Sequence, residues 1–117
     1  MHELGITQGI IDRAREAAQR NEARKVTDVF LVMTPAADFT AESIEMYFEM
    51  LTDEDELFKG AKVHIEQRSA AATCLSCSDE FTTAAPQPVC PQCGSTQVSF
   101  DPDAPMVQLT DIGIDDE

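Results

Sequence analysis

All four cysteines of the chain lie in two Cys-x-x-Cys pairs, Cys74 with Cys77 and Cys90 with Cys93, separated by twelve residues. A Cys-x-x-Cys turn lets two thiolates converge on one point, and two such turns facing each other form a tetrahedral site of four sulfurs. The spacing C-x2-C-x12-C-x2-C is slightly shorter than the usual zinc pattern and close to its variants. The sequence therefore predicts a closed metal site.

Structural Zn²⁺ best fits these ligands, because four thiolates leave no open position for catalysis. A rubredoxin-like iron site uses the same ligands, and tetrahedral sulfur coordination does not by itself distinguish the two metals. A thioredoxin-type redox pair accounts for one of the two motifs only. Phe81 and Val89 are the predicted apolar supports between the two turns.

The net charge of −14 is unevenly distributed along the chain. Residues 1–34 are neutral overall, residues 35–117 carry all the excess of acidic groups, and neither Lys nor Arg follows Arg68. A nucleic-acid-binding zinc module needs cations to displace phosphate counterions, so the sequence predicts no nucleic-acid partner. No apolar run approaches the length of a membrane span. Met1-His2-Glu3 is neither basic nor followed by an apolar stretch, which predicts a cytoplasmic protein.

Hydrophobic periodicity predicts two helices, at 4–20 and 40–52, and strands at 25–34, 61–66 and 106–114. The strand at 25–34 is apolar on both faces from Val29 onward, which favours a central position in its sheet. The predicted fold is α+β, a small mixed three-stranded sheet with two helices and an inserted zinc-ribbon or knuckle lobe. The predicted domains are 1–68 with 106–117, and 69–105.

Local signals place the element boundaries. Gly5 or Thr7 is the predicted N-cap of the first helix, and Thr40 that of the second. The acidic run 53–56 is interpreted as a solvated loop, because it lacks a calcium-loop pattern. The small-residue run 69–72 is interpreted as the entrance to the cysteine lobe.

His2 marks a second candidate metal site. The α-amine, the following amide nitrogen and the imidazole of residue 2 can close fused chelate rings on one ion. A planar set of nitrogen ligands suits Ni(II) or Cu(II). A histidine near a chain end is also often unengaged, and these residues alone leave both interpretations open.

Met1-His2-Glu3-Leu4 at the start of a helix, followed by Cys74-x2-Cys77 and Cys90-Pro91-x-Cys93-Gly94-Ser95, resembles the HypA/HybF family of nickel metallochaperones for hydrogenase maturation. The resemblance covers the whole chain. It implies a nickel-binding α+β lobe and a lobe with structural Zn²⁺ held by Cys74, Cys77, Cys90 and Cys93. It also implies a nickel site at Met1, His2 and Glu3, with His2 as the essential ligand.

The resemblance further implies a protein that is not an enzyme and that carries Ni²⁺ as cargo. Its expected partners are the [NiFe]-hydrogenase large-subunit precursor and the GTPase HypB. Independently of the resemblance, exposed strand edges make a homodimer or strand swapping an option. Some members use an additional His near the zinc lobe, which this chain lacks. His64 alternates outward on its strand and is interpreted as a solvated side chain. The alternative is that it is the fourth nickel ligand, which requires the fold to bring it to the N-terminus. The alternatives are a rubredoxin-like iron electron carrier and a structural zinc-ribbon adaptor.

Overall fold

Residues 3–115 are described in this computed structural model, and they form two helices and two three-stranded sheets. The elements in chain order are α1 (Glu3–Arg20), β1 (Lys25–Met33), α2 (Ala41–Thr52), β2 (Lys62–Gln67), β3 (Ala70–Cys74), β4 (Glu80–Thr83), β5 (Val98–Phe100) and β6 (Val107–Asp115). A short 3-10 turn, Glu56–Phe58, precedes β2. One sheet has the order β2-β1-β6 and the other β4-β3-β5. The predicted α+β class with an inserted cysteine lobe is confirmed.

Helix α1 buries a stripe that follows the 3.6-residue period, including Ile10, Ala14 and Ala18. The predicted N-cap at Gly5 or Thr7 is wrong, since the helix already includes Glu3. The Thr7 side chain is fully buried, and its hydroxyl donates to the Glu3 carbonyl at 2.6 Å. Thr7 thus satisfies its polar group inside the first turns instead of capping them.

Strand β1 lies at the centre of its sheet, as its apolar sequence predicts. Val29, Leu31 and Met33 are buried on one face, whereas Phe30 on the other face is 37% exposed. The last predicted strand returns to this sheet as β6 and lies beside β1. β1 and β6 therefore pair across a long sequence separation, and the inserted lobe lies between them in the chain.

Helix α2 begins as predicted at Thr40, whose hydroxyl oxygen accepts from the Ser43 amide at 3.1 Å. Ile44 and Phe48 are buried, and α2 packs against α1. Phe48 meets Phe58 of the 3-10 turn edge to face, with ring centroids 5.7 Å apart. This aromatic pair fixes the connection from α2 to β2 against the core.

The small-residue run interpreted as an entrance contributes its three alanines, 70–72, to β3, the central strand of the second sheet. Ala70, Ala72 and Cys74 alternate as its buried side chains. Ala72 lies opposite Phe81 of β4 and Phe100 of β5. A methyl group at this position leaves room for two large rings on the neighbouring strands, which is why a central strand is built here from alanines.

The chain divides into two compact units, one formed by residues up to Val32, 39–66 and 108 onward, and the other by 33–38 and 67–107. The large side chains that are fully buried, such as Phe58, Ile11 and Leu31, belong to the first unit. The second unit buries Met33 and Thr34, two alanines and two of its cysteines. None of the described helices is long and apolar enough to cross a membrane.

Candidate metal centre

The two cysteine turns have the same backbone geometry. The amide of Ser78 donates to the Cys74 carbonyl at 2.9 Å, and the amide of Gly94 donates to the Cys90 carbonyl at 2.9 Å. Ser78 has a φ of 65° and Gly94 a φ of 75°, so each turn ends with one residue in the left-handed region. This repetition presents the two cysteine pairs as matching halves of one site.

A second hydrogen bond closes each turn. The Cys74 amide donates to the Asp79 carbonyl, and the Cys90 amide donates to the Ser95 carbonyl, both at 2.9 Å. The hydroxyls of Ser76 and Ser95 lie 2.9 Å apart and link the two turns directly. These hydrogen bonds fix the shape of both turns, and none of them involves a metal ligand sulfur.

The four sulfurs converge as the spacing predicts. All the ligand atoms of Cys74, Cys77, Cys90 and Cys93 lie within 4.8 Å of one another, and the Cys74–Cys93 and Cys77–Cys90 sulfurs are 3.6 Å apart. Tetrahedral Zn–S bonds of about 2.3 Å place the sulfurs about 3.8 Å apart. The donor set and its dimensions therefore fit a Zn²⁺ ion bound by four thiolates.

Backbone amides point at the sulfurs of the first cysteine in each pair. Ser76 and Cys77 donate to the Cys74 sulfur, and Gln92 donates to the Cys90 sulfur, each at 3.4 Å. Such N–H groups stabilise negative charge on sulfur, which a metal-bound thiolate retains in part. The turns thus supply compensation for the four negative charges of the ligand set.

The thiols interact strongly with one another. The Cys77 amide is the main reason that the pKa of Cys74 is lowered to about 6. The Asp79 amide lowers the pKa of Cys77, but desolvation and the sulfurs of Cys90, Cys74 and Cys93 together raise it to about 12. Cys74 therefore loses its proton more readily than an isolated thiol, whereas Cys77 keeps its proton more firmly. The protons that remain on the thiols must leave when a metal binds.

The site is buried on one side and accessible on the other. Cys74 and Cys90 are 1% and 2% exposed, whereas Cys77 and Cys93 are exposed. The prediction that Val89 supports the two turns is wrong, because its side chain is 55% exposed. The described structure contains no disulfide, and all four cysteines are free.

The predicted nickel ligands are only partly within the described residues. Met1 and His2 lie outside them. Glu3 is half-buried and is the first residue of α1, where its carbonyl accepts the Thr7 hydroxyl.

His64, the remaining histidine, faces outward on β2 as its alternation predicts. Its Nε2 lies 2.8 Å from Asp28 Oδ1, and its ring stacks on Phe30 with centroids 4.8 Å apart. The hydrogen bond to His64 is the main cause of a lowered pKa at Asp28. His64 is thus held by two residues of β1, an arrangement that its lone position in the sequence does not reveal.

Sequence reasoning missed Asp55, which it assigned to a solvated acidic loop. The Asp55 carboxylate accepts from the Leu57 amide at 3.0 Å and forms an ion pair with Arg15 of α1. Arg15 also lies over the Phe58 ring at 5.4 Å. The position of Asp55 two residues before Leu57 is a local signal for a helix cap. Its ion-pair partner Arg15 lies 40 residues earlier in the chain, so no local pattern indicates this contact.

Comparison with known proteins places these features in one family. Residues 1–107 match the family model described as "HypA: Hydrogenase/urease nickel incorporation, metallochaperone, hypA". The hydrogenase maturation factor HypA of Caldanaerobacter subterraneus subsp. tengcongensis is 34% identical over 101 residues, which cover 86% of this chain and 88% of that protein. The hydrogenase maturation factor HybF of Klebsiella pneumoniae is 32% identical, with 84% and 86% covered.

Solved structures show the same fold. The solution structure of the Ni metallochaperone HypA from Helicobacter pylori superposes with a TM-score of 0.68 and 24% identity, and 100% of each chain is covered. A second solution structure of a HypA protein gives a TM-score of 0.64 and 23% identity, covering 100% of this chain and 98% of that one. With its family match over 1–107, its relatives above 30% identity and its four converging cysteines, the chain belongs to the HypA family of nickel metallochaperones for hydrogenase maturation.

Proposed function

We propose that this protein binds Ni(II) through Met1, His2 and Glu3 and delivers it to the [NiFe]-hydrogenase large-subunit precursor. The observation that carries the proposal is membership of the family, whose matching region begins at residue 1 and therefore includes these positions. The protein acts as a carrier and not as an enzyme. It works in the cytoplasm with the GTPase HypB.

The chemistry of residue 2 supports this assignment. The α-amine of Met1, the amide nitrogen that follows and the His2 imidazole can supply a planar set of nitrogen ligands, which suits Ni(II). The amide must lose its proton, so nickel affinity rises with pH. Glu3 adds a carboxylate at the start of α1, where a negative charge is favoured by the helix dipole.

Zn²⁺ has a separate, structural role in the proposal. It is held by Cys74, Cys77, Cys90 and Cys93, whose sulfurs have the dimensions that a tetrahedral site requires. We assign residues 69–105 to this zinc-binding domain and 1–68 with 106–117 to the nickel-binding domain. The acidic surface of the chain then favours docking to a basic surface on a partner.

Nickel titration of the untagged protein tests the N-terminal site. We expect one Ni(II) per chain by calorimetry. Affinity should fall by at least about tenfold in His2→Ala, which removes the imidazole, and in a form extended at the N-terminus, where the α-amine becomes part of a peptide bond. His64→Ala is the matched control and retains nickel binding. Equal binding by all four proteins places the nickel site elsewhere.

A cellular measurement tests delivery. Cells that depend on this protein for nickel insertion should lose hydrogenase activity with His2→Ala and regain it in medium with excess nickel. Activity that stays absent at high nickel would show that His2 acts in folding or partner binding instead of in metal supply.

A further inference from the structure

Helix α2 exposes a stripe that is both acidic and apolar. Its outward positions recur at steps of three and four residues, so they share one face of the helix. The exposed residues of this stripe, which ends at the helix C-cap, are Glu42, Glu45, Met46, Glu49, Met50 and Asp53. No Lys or Arg occurs in α2. The α2 stripe therefore combines carboxylates with two thioether side chains.

Met46 and Met50 are the apolar part of the stripe. Each side chain is 57% exposed, and residues four apart are neighbours on a helix surface. Single exposed apolar side chains are ordinary, whereas adjacent ones form a patch of the kind that partners cover. Methionine is flexible and polarisable, so it adapts to the shape of an apolar partner surface. The pair is therefore suited to contact apolar side chains that lie one helical turn apart.

The chain does not neutralise the carboxylates of the stripe. Among the described residues, no ion pair joins one of them to Lys, Arg or His. Lys59 and Lys62 only line an open groove that Glu45, Glu49 and Asp53 border as well. The last turn of α2 has no basic residue and its C-cap is Asp53, so nothing compensates the negative end of the helix dipole. Both features favour cations supplied from outside the chain.

We propose that the α2 stripe is the docking site for a basic amphipathic helix of a partner protein. The 12 residues of α2 span about 18 Å, which leaves room for about three turns of a partner helix. Apolar residues one turn apart on that helix cover Met46 and Met50, and flanking Lys or Arg residues face Glu45 and Glu49.

Charge also decides against a second copy of the same face, because two acidic stripes repel each other. The inference rests on the proposed function in one respect only, that the protein docks to a basic surface of a partner. It does not depend on the nickel ligands.

Synthetic peptides test the chemistry of the site. The first is a helical peptide of about fourteen residues, with Leu at steps of three and four and Lys at the flanking positions. A second peptide carries Glu in place of Lys, and a third carries Ala in place of Leu. In fluorescence anisotropy with the full-length zinc-loaded protein, the Lys-Leu peptide should bind. The Lys-Ala peptide should bind at least about fivefold more weakly, and the Glu-Leu peptide should not bind.

Two double variants with the same net charge locate the charge contribution. Glu45→Gln with Glu49→Gln removes two charges from the stripe, whereas Asp101→Asn with Asp103→Asn removes two from an exposed turn of the second unit. The first should weaken binding of the Lys-Leu peptide by about fivefold, and the second by less than about twofold. The difference should shrink as the salt concentration rises, because salt screens exposed charges.

Single variants locate the apolar contribution. Met46→Gln and Met50→Gln should each weaken binding by about fivefold, because the apolar surface covered by Leu is lost. Met106→Gln is the control, since Met106 is 39% exposed and precedes β6, and it should leave binding unchanged. Gln has a helix propensity close to that of Met and Glu, so the α2 variants should stay folded in circular dichroism.

Nickel measurements keep the docking test separate from the proposed function. The α2 variants should bind nickel as the wild type does, and His2→Ala should bind the Lys-Leu peptide as the wild type does. A failed nickel site therefore leaves the peptide result unchanged, and a failed docking site leaves the nickel titration unchanged.

The peptide results decide the proposal. Amide shifts at residues 42–53 on adding the Lys-Leu peptide, with losses in the stripe variants only, support it. Equal losses in the two double variants would mean that the peptide responds to net charge alone, which overturns the proposal. Tight binding of the Glu-Leu peptide overturns it as well. So does self-association of the protein that Met50→Gln abolishes, because a second copy would then be the occupant.

Discussion

At the residue scale, Ser78 is an L-residue in a backbone conformation suited to glycine. Its φ of 65° matches the 75° of Gly94 at the equivalent position of the other cysteine turn. A Cβ atom in this region costs about 1–2 kcal/mol. The first turn therefore carries strain that the second turn avoids.

Replacing Ser78 by glycine should stabilise the cysteine turn. After allowing for the greater entropy of glycine in the unfolded chain, the expected gain is about 0.5–1 kcal/mol. Urea unfolding of the zinc-loaded protein measures it. The reciprocal change, Gly94→Ala, should lower stability by about 1 kcal/mol, and a gain in that variant would contradict the explanation.

The ion pair of Asp55 with Arg15 should make stability depend on pH. The hydrogen bond from Arg15 is the main reason that the pKa of Asp55 is lowered from its ordinary value of 3.8. A lowered pKa in the folded state means that this stabilisation is complete above about pH 5 and is lost as the pH falls through the folded-state value. Asp55→Asn should therefore be less stable than wild type by about 0.5–1 kcal/mol at pH 6, with a difference that shrinks towards pH 3.

Urea unfolding across pH 3–7 gives that difference directly. Asp53→Asn is a suitable control, since Asp53 lies two residues away in the same exposed acidic run. A constant difference between wild type and Asp55→Asn at all pH values would assign the effect to the cap on Leu57 and not to charge.

At the element scale, β6 approaches β1 closely at Gly113. A Cβ built there would lie 2.9 Å from Asp28 Oδ2, 2.9 Å from Thr27 Oγ1 and 3.1 Å from Asp28 Cβ. Glycine is therefore required by the pairing of these strands and not by a turn. The Asp28 side chain that causes the crowding is the one that holds His64 on β2.

Gly113→Ala should destabilise the sheet by about 1–3 kcal/mol, because the side chains of Thr27 and Asp28 must move. Gly9→Ala provides the matched control, since nothing lies within 4 Å of the added atom in α1. That change should stabilise the helix by up to about 1 kcal/mol. Urea unfolding of both variants tests the pair, and equal effects would show that crowding at Gly113 is relieved without cost.

The helices show how far local sequence predicts an element. Apolar spacing located both helices, and the Thr40 cap was predicted because its signal is confined to a few neighbouring residues. The start of α1 was misplaced, because a buried threonine can bond back to its own helix instead of capping it. Sequence reasoning also does not identify the alanine-rich β3 as a strand, since alanine has a weak strand preference. The reason for alanine at position 72 is the presence of Phe81 and Phe100 on the two neighbouring strands, which only the structure shows.

At the scale of the whole molecule, the two units are stabilised differently. The first unit contains most of the large buried side chains, whereas the described part of the second buries Met33 beside small residues such as Ala72, Cys74 and Cys90. A module of this size gains little from so small an apolar core. Metal coordination by its cysteines is therefore expected to supply much of its stability.

Removing zinc should unfold the second unit selectively. We expect purified protein to contain one zinc per chain and no iron, and a strong chelator to abolish amide protection in β3, β4 and β5. The helical signal of α1 and α2 in circular dichroism should persist, because their core includes none of the ligands. Protection that survives complete zinc removal, or iron in place of zinc, would contradict this assignment.

The sequence by itself determined the cysteine ligand set, the two helices and the central position of β1, because each depends on spacing or periodicity within a short segment. The tertiary structure alone decided which distant groups meet. It brought Asp55 to Arg15, held His64 against Asp28 and Phe30, and placed β2 beside β1 in a sheet whose order is β2-β1-β6. These outcomes depend on how the helices and strands pack, and packing joins residues whose separation along the chain carries no local signal.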